Sequence, residues 1–166
     1  MEARTDQAAK DKVLELLKDA HIAMMATRGE GGAMHARPMG TNHSEFDGDL
    51  YFLTYLSSEK VAEIEANPEV LLTYSDPDKQ HYVSLSGTGQ ILRDRATIEK
   101  NWFEPARTWF PEGKDDPNLG IIKVTVDTAE YWDSPSSTVL YIYGYLKAAT
   151  TGKPPKGGEN ETVSYE

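Results

Sequence analysis

AMHARPMGTNHSEFDGDLYFLTYLSSEK, residues 33–60, decides how the rest of the chain is read. It contains two strand-like runs followed directly by the start of a helix. The first run, 33–39, carries Arg37, Pro38 and Met39, and the period of two puts His35, Arg37 and Met39 on one face. Pro38 has no N–H to give to a ladder, so it marks a sheet edge, a bulge or the end of regular pairing, and it holds Arg37 extended. Asp47-Gly48 is a turn signal leading into the second run, 50–54, which reads LYFLT and runs into Ser57, Ser58, Glu59 and Lys60. There two hydroxyls and an ammonium group meet the free backbone N–H groups that open a helix, where the dipole favours negative charge. Such an arrangement suits a phosphate. Ser57 and Ser58 equally look like an ordinary helix N-cap. A lysine in the first turn opposes the helix dipole, however, and a bound dianion would reverse that sign. If the two strands lie side by side, Arg37 adds a fork-shaped second cation.

Working outward, residues 6–19 form a helix, because Ala9, Val13, Leu16, Leu17 and Ala20 fall on one face. Residues 22–27 read as a buried strand, and three glycines within 28–32 supply a reversal into 33–39. Downstream, the helix opened at Ser57 or Ser58 turns Val61 and Ile64 inward and is ended by Asn67-Pro68. Strands follow at 70–74 and 81–92. Gly87 and Gly89 lack the third glycine and the helix of a dinucleotide fingerprint, so they mark a bulge or a barrel corner. Residues 94–103 turn helical, and Trp102, Phe103, Trp109 and Phe110 crowd together as core or interface. The last strand is 121–126, with Trp132 just beyond it near solvent. Residues 139–150 read as a helix, and 152–166 as a flexible tail after a single domain spanning 1–151. Six strands joined mostly by turns predict a mainly β fold, an antiparallel barrel with peripheral helices rather than a doubly wound sheet.

Seventeen basic against 27 acidic residues leave a net charge of −10 in a chain of 166, which speaks against nucleic acid and anionic membranes as partners. An anionic ligand therefore needs locally concentrated positive charge, for which Arg37 and Lys60 are the candidates. There is no cysteine, so disulfides and thiolate chemistry are excluded, and the four histidines lack the spacing of a metal site. No metal is expected. No apolar run is long enough to span a membrane and no signal-peptide pattern opens the chain, so the cytoplasm is the expected compartment. No G-x-S-x-G element or Walker loop is present, and the carboxylates are scattered.

Several motifs in order resemble one family: Arg37-Pro38-Met39; Phe52, Thr54, Ser57 and Lys60 at fixed spacing; YVSLSG at 82–87; Trp109-Phe110-Pro111 with Gly113 and Asp116-Pro117; and AEYWD at 129–133. Together they resemble the general stress protein 26 group of the pyridoxamine 5′-phosphate oxidase-like flavoproteins. The resemblance implies a split β-barrel homodimer with FMN at the subunit interface, FAD being the alternative flavin. By position it places the flavin along Arg37, Pro38, Met39, Gly40, Thr41 and Asn42, with Leu53 and Thr54 beside it and Lys60 and Ser57 on the phosphate. Tyr82 and Val83 would line the pocket, and Trp132 would reach in from the partner subunit. Two features depart from the oxidases proper. Glu59 stands where they carry an arginine before the phosphate lysine, and nothing after Asp133 matches their Arg-x-His substrate motif. Both argue against pyridoxamine phosphate as substrate.

With a flavin, the hydride and electron chemistry resides in the cofactor, which agrees with the sparse catalytic inventory. Three readings stand: an FMN-dependent oxidoreductase using an external reductant such as NAD(P)H, a stress-related protein that binds or senses flavin without turnover, and a cofactor-free dimeric split barrel acting through protein partners.

Overall fold

The structure, a computed structural model, describes residues 3–40, 46–134, 138–152 and 158–165. Helix α1 (Gln7–Leu17) is capped by Asp6, whose carboxylate accepts from the Ala9 N–H at 3.1 Å, and it buries Val13 and Leu17. Strands β1 (Ile22–Arg28) and β2 (Met34–Gly40) form the expected hairpin. They are followed by β3 (Asp49–Tyr55), α2 (Glu59–Ala66), β4 (Glu69–Asp76), β5 (His81–Leu92), α3 (Arg95–Asn101), β6 (Leu119–Asp133), α4 (Thr138–Thr151) and β7 (Glu159–Ser164). Two short 3₁₀ segments, Glu30–Gly32 and Glu104–Thr108, complete the described elements.

The named strands pair antiparallel, in the order β2-β1-β4-β5-β6-β3, with one isolated parallel bridge from Arg4 to Val163, and the outer strands β2 and β3 approach one another. The sheet is thus curled into an open half-barrel, the split β-barrel expected. β6 is the spine. One of its edges pairs with β5 along its length, while the other takes β3 on its first half and β7 on its second. One line of cross-strand neighbours shows which face is inside: Arg37, Met25, Leu72, Leu85, Ala129 and Val163 sit opposite one another across six strands, and all but Arg37 are in the core. Residues one step away on each strand face outward.

Two departures from expectation follow from β6. The sequence sets 152–166 outside the domain as a flexible tail, but Glu159–Ser164 is a ladder strand whose Val163 is fully buried. Only one side chain of that strand is apolar and inward, so periodicity carries little signal there. Trp132, expected beyond the last strand, lies within it, because β6 continues to Asp133 where β7 gives it a second edge.

Gly87 marks the bulge that the sequence suggests, whereas Gly89 is there for packing. The register slips between Ser86 and Gly87, and a Cβ on Gly87 would lie 2.2 Å from the Thr125 carbonyl oxygen. A Cβ on Gly89 would lie 2.9 Å from side-chain atoms of both Ile64 and Val70. Gly89 is therefore the floor on which α2 rests, and the position of α2 matters below.

Candidate functional site

Arg37 is on the inner face of β2, an edge strand, which accounts for Pro38 being tolerated beside it. Its Nη1 donates to the Thr27 hydroxyl and, at 3.5 Å, to the Met25 carbonyl, both on β1. Its Nη2 donates to Glu63 Oε2 on α2 at 2.9 Å. The same carboxylate oxygen accepts from the Thr27 hydroxyl at 2.5 Å, and Oε1 faces His35 Nδ1 at 2.5 Å. Glu63 is only 7% exposed. Burial alone would raise its pKa, but hydrogen bonds from Thr27, His35 and Arg37, with the guanidinium charge, hold it down at about 2.

Lys60 stands one turn before Glu63 on α2 and is half-buried. Burial, and after it the nearby Arg37 guanidinium, push its ammonium below the usual lysine range, with Glu63 partly offsetting them. It makes no hydrogen bond or ion pair with any described residue. Ser58 is the N-cap of α2 by position, yet its hydroxyl turns back to the Tyr55 carbonyl at 2.7 Å and does not cap. Ser57 is exposed and engaged by Asn118, whose amide donates to the Ser57 hydroxyl at 3.0 Å and accepts from the Ser57 N–H at 3.1 Å. The two serines therefore do not cover the helix opening as the sequence suggested. The N–H groups of Glu59 and Lys60 have no acceptor among the described residues. Thr54, 1% exposed, lies behind them on the inner face, its hydroxyl 3.3 Å from that of Ser58.

The remaining expected residues divide. Met39 is in the main core and Val83 is buried beside it, so neither presents a side chain to an open pocket. Leu53 faces away from Thr54, into a second cluster with Ile98, Ala106, Leu119 and Ile121, because adjacent residues on a strand point to opposite faces. Pro38 and Gly40 are on the exposed side of β2. Thr41 and Asn42 lie outside the described residues. Tyr82 and Trp132 are direct neighbours across β5 and β6, 41% and 38% exposed, on the outer face of the sheet. Arg37 and Lys60 thus face the inside while Tyr82 and Trp132 face the outside. Within one chain the two groups do not form one pocket.

Thr27, His35, Glu63 and Asn118 were not singled out by sequence. Glu63 is 36 residues from Thr27 and 28 from His35, and no local spacing links them. The one available signal was that His35 and Arg37 share a face. His35, Glu59 and Glu63 bring one potential ligand atom each within 4.8 Å of one another. Both oxygens of Glu63 are already engaged, and two cations stand beside them, so this is an ion-pair network rather than a built metal centre. A cavity of about 480 Å³ lies elsewhere, bordered by Tyr51, Trp102 and Lys123, but Lys123 is paired to Asp49 at 3.0 Å. It contains neither Arg37 nor Lys60.

A curled antiparallel half-barrel that brings Arg37 near Lys60 at the opening of α2 defines a split-barrel protein. The chain belongs to the pyridoxamine 5′-phosphate oxidase like family, whose model matches residues 8–156. General stress protein 26 of Bacillus subtilis is 35% identical over 122 residues, 71% of this chain and 84% of that protein. The general stress FMN/FAD binding protein of Xanthomonas citri is 27% identical, with a TM-score of 0.69 over 80% of this chain and 93% of that one. A Clostridium acetobutylicum protein related to general stress protein 26 has the same fold, at 24% identity and a TM-score of 0.71 over 96% of each chain. The family and the group that the motifs resembled are thus those the comparisons return. Among the described residues, no helix is long and apolar enough to cross a membrane.

Proposed function

We propose that the chain binds FMN, with the phosphate received by Arg37, Lys60 and the open N-terminus of α2, and that it acts as a flavin-dependent oxidoreductase. The observation that carries this is the pair of like charges. In a chain of net charge −10, two cations are held close enough for one to depress the pKa of the other, and Lys60 makes no ion pair with a described residue, Glu63 offsetting the burial and the repulsion only in part. Keeping an ammonium half-buried beside a guanidinium costs stability, and a dianion between them would reverse the sign. Two N–H groups at the helix opening add donors of the right polarity. The fit extends to the family: the Xanthomonas citri relative is described as an FMN/FAD binding protein.

When bound, the flavin would supply the hydride and electron chemistry. The chain's own residues would grip the phosphate at Arg37 and Lys60, place Thr54 and the backbone from Arg37 to Gly40 alongside, and shield the site from the barrel side with Met39 and Val83. Tyr82 and Trp132 belong to the opposite face, so they would complete the pocket from a second copy. A homodimer is part of this reading, and so is the broad apolar face they share with Ile22, Met24 and Leu71, all exposed in the single chain. Titration with FMN, followed by visible absorption, tests the binding. Anaerobic addition of NADH or NADPH tests the turnover: bleaching of bound flavin is expected, and a flavin that stays oxidised with both would leave binding or sensing as the function.

A further inference from the structure

We propose that Glu63 is the positioning residue of this seat: it ties Arg37 on β2 to the turn of α2 that carries Lys60, and so sets the spacing of the two cations. This rests on the flavin reading above and adds a residue to it. An arginine on an edge strand is otherwise free to sweep through solvent. Here one guanidinium nitrogen is held by β1, through Thr27 and Met25, and the other by α2, through Glu63 at 2.9 Å. Three residues along a helix is about one turn, so the side chains of Lys60 and Glu63 rise from the same face. Whatever fixes Glu63 to Arg37 therefore fixes Lys60 relative to Arg37. Thr27 closes the triangle, since its hydroxyl accepts from Arg37 and donates to Glu63. Packing of α2 on the barrel does not require a charge at this position. Val61 and Ile64 already anchor the helix, and a buried carboxylate is an expensive way to add packing. The guanidinium keeps donors not used by Thr27, Met25 or Glu63, and these are what an anion would meet.

The opposite role, a counter-charge that merely competes with the ligand, makes the opposite prediction. Glu63→Gln removes the charge and mismatches the amide against its donors. If Glu63 positions Arg37, FMN affinity falls about tenfold or more, riboflavin affinity is unchanged, and the loss vanishes in an Arg37→Ala background. Thr27→Val, which keeps the carboxylate, should give a smaller loss of the same sign. Tighter FMN binding by Glu63→Gln, or equal losses for FMN and riboflavin, would overturn the proposal. One readout needs no flavin. In ¹⁵N spectra of the ligand-free protein, the Arg37 guanidinium should show restricted rotation that Glu63→Gln releases, and a freely rotating Arg37 in the unaltered protein would also overturn it. Failure of the unaltered protein to bind either flavin, with Arg37 still restricted, would refute the flavin reading while leaving the positioning role standing.

Discussion

Arg37 and Glu63 are joined at 2.9 Å between an edge strand and a helix 26 residues further along the chain, and a single turn of that helix separates Glu63 from Lys60. The contact ties the strand that carries Arg37 to the helix that carries Lys60. The electrostatics are asymmetric: Arg37 is ion-paired to Glu63, while Lys60 makes no ion pair with a described residue and is favoured by the same carboxylate only in part.

That asymmetry predicts a trade between stability and binding at Lys60. Its pKa is lowered in the folded chain, so between that lowered value and 10.5 the unfolded chain holds more protons, and stability rises with pH through this window. Lys60→Met should accordingly raise the melting temperature of the ligand-free protein while weakening FMN binding by about 1.5–3 kcal/mol, the range for a hydrogen bond to a charged group. Differential scanning fluorimetry with and without FMN checks both signs.

Glu63 predicts the acid limb of the stability profile. Its folded pKa, about 2, lies below the ordinary 4.5, so its contribution is fully present above 4.5 and is lost as pH falls from there towards 2. Urea denaturation at pH 6 and pH 3 should show a drop in midpoint that is markedly smaller in Glu63→Gln. An identical drop in both proteins would mean that other carboxylates govern the acid limb.

Gly89 predicts how firmly the notch depends on packing far from it. Gly89→Ala would press on Ile64 and Val70, at a cost of about 1–3 kcal/mol for overpacking, and would lift α2 with Lys60 and Glu63 on it. FMN affinity should fall although no ligand-facing side chain has changed, a result read from the same titration.

The outer face of the sheet predicts the assembly. Met24→Glu or Leu71→Glu places a charge in the exposed apolar face without touching Arg37 or Lys60. Sedimentation velocity should show a shift from dimer to monomer, and Trp132→Ala should weaken flavin binding while the dimer persists.

The strands and helices were legible where the pattern was local. The alternation of 81–92 and the helical stripe through Val13 and Leu17 gave elements close to those seen, with Asp6 capping α1 and Asp94 capping α3 through the Thr97 N–H at 2.9 Å. Helix α4 also falls where the sequence placed it. β7 was not legible, since Val163 is its one buried residue and its partner strand lies some 30 residues earlier, as the Asn160 contact to Glu130 shows. The candidate site was legible in part. Arg37 stood out because Pro38 holds it extended on a strand before the helix, Lys60 because a lysine in a first helical turn opposes the dipole, and Ser57 and Ser58 because serines open helices. Which way those hydroxyls turn depends on Asn118 and on the Tyr55 carbonyl, and no spacing rule reports it. The crowded aromatics divide as well: Trp102, Phe103 and Phe110 pack on the second core cluster, whereas Trp109 is 62% exposed.

Paired titrations of the unaltered protein with FMN and with riboflavin test the electrostatic claim most directly, because the two ligands share a ring system and differ by the phosphate. FMN should bind at least about tenfold more tightly, with the difference shrinking in Lys60→Ala. Equal affinities for the two ligands would show that the notch between β2 and α2 does not hold the phosphate.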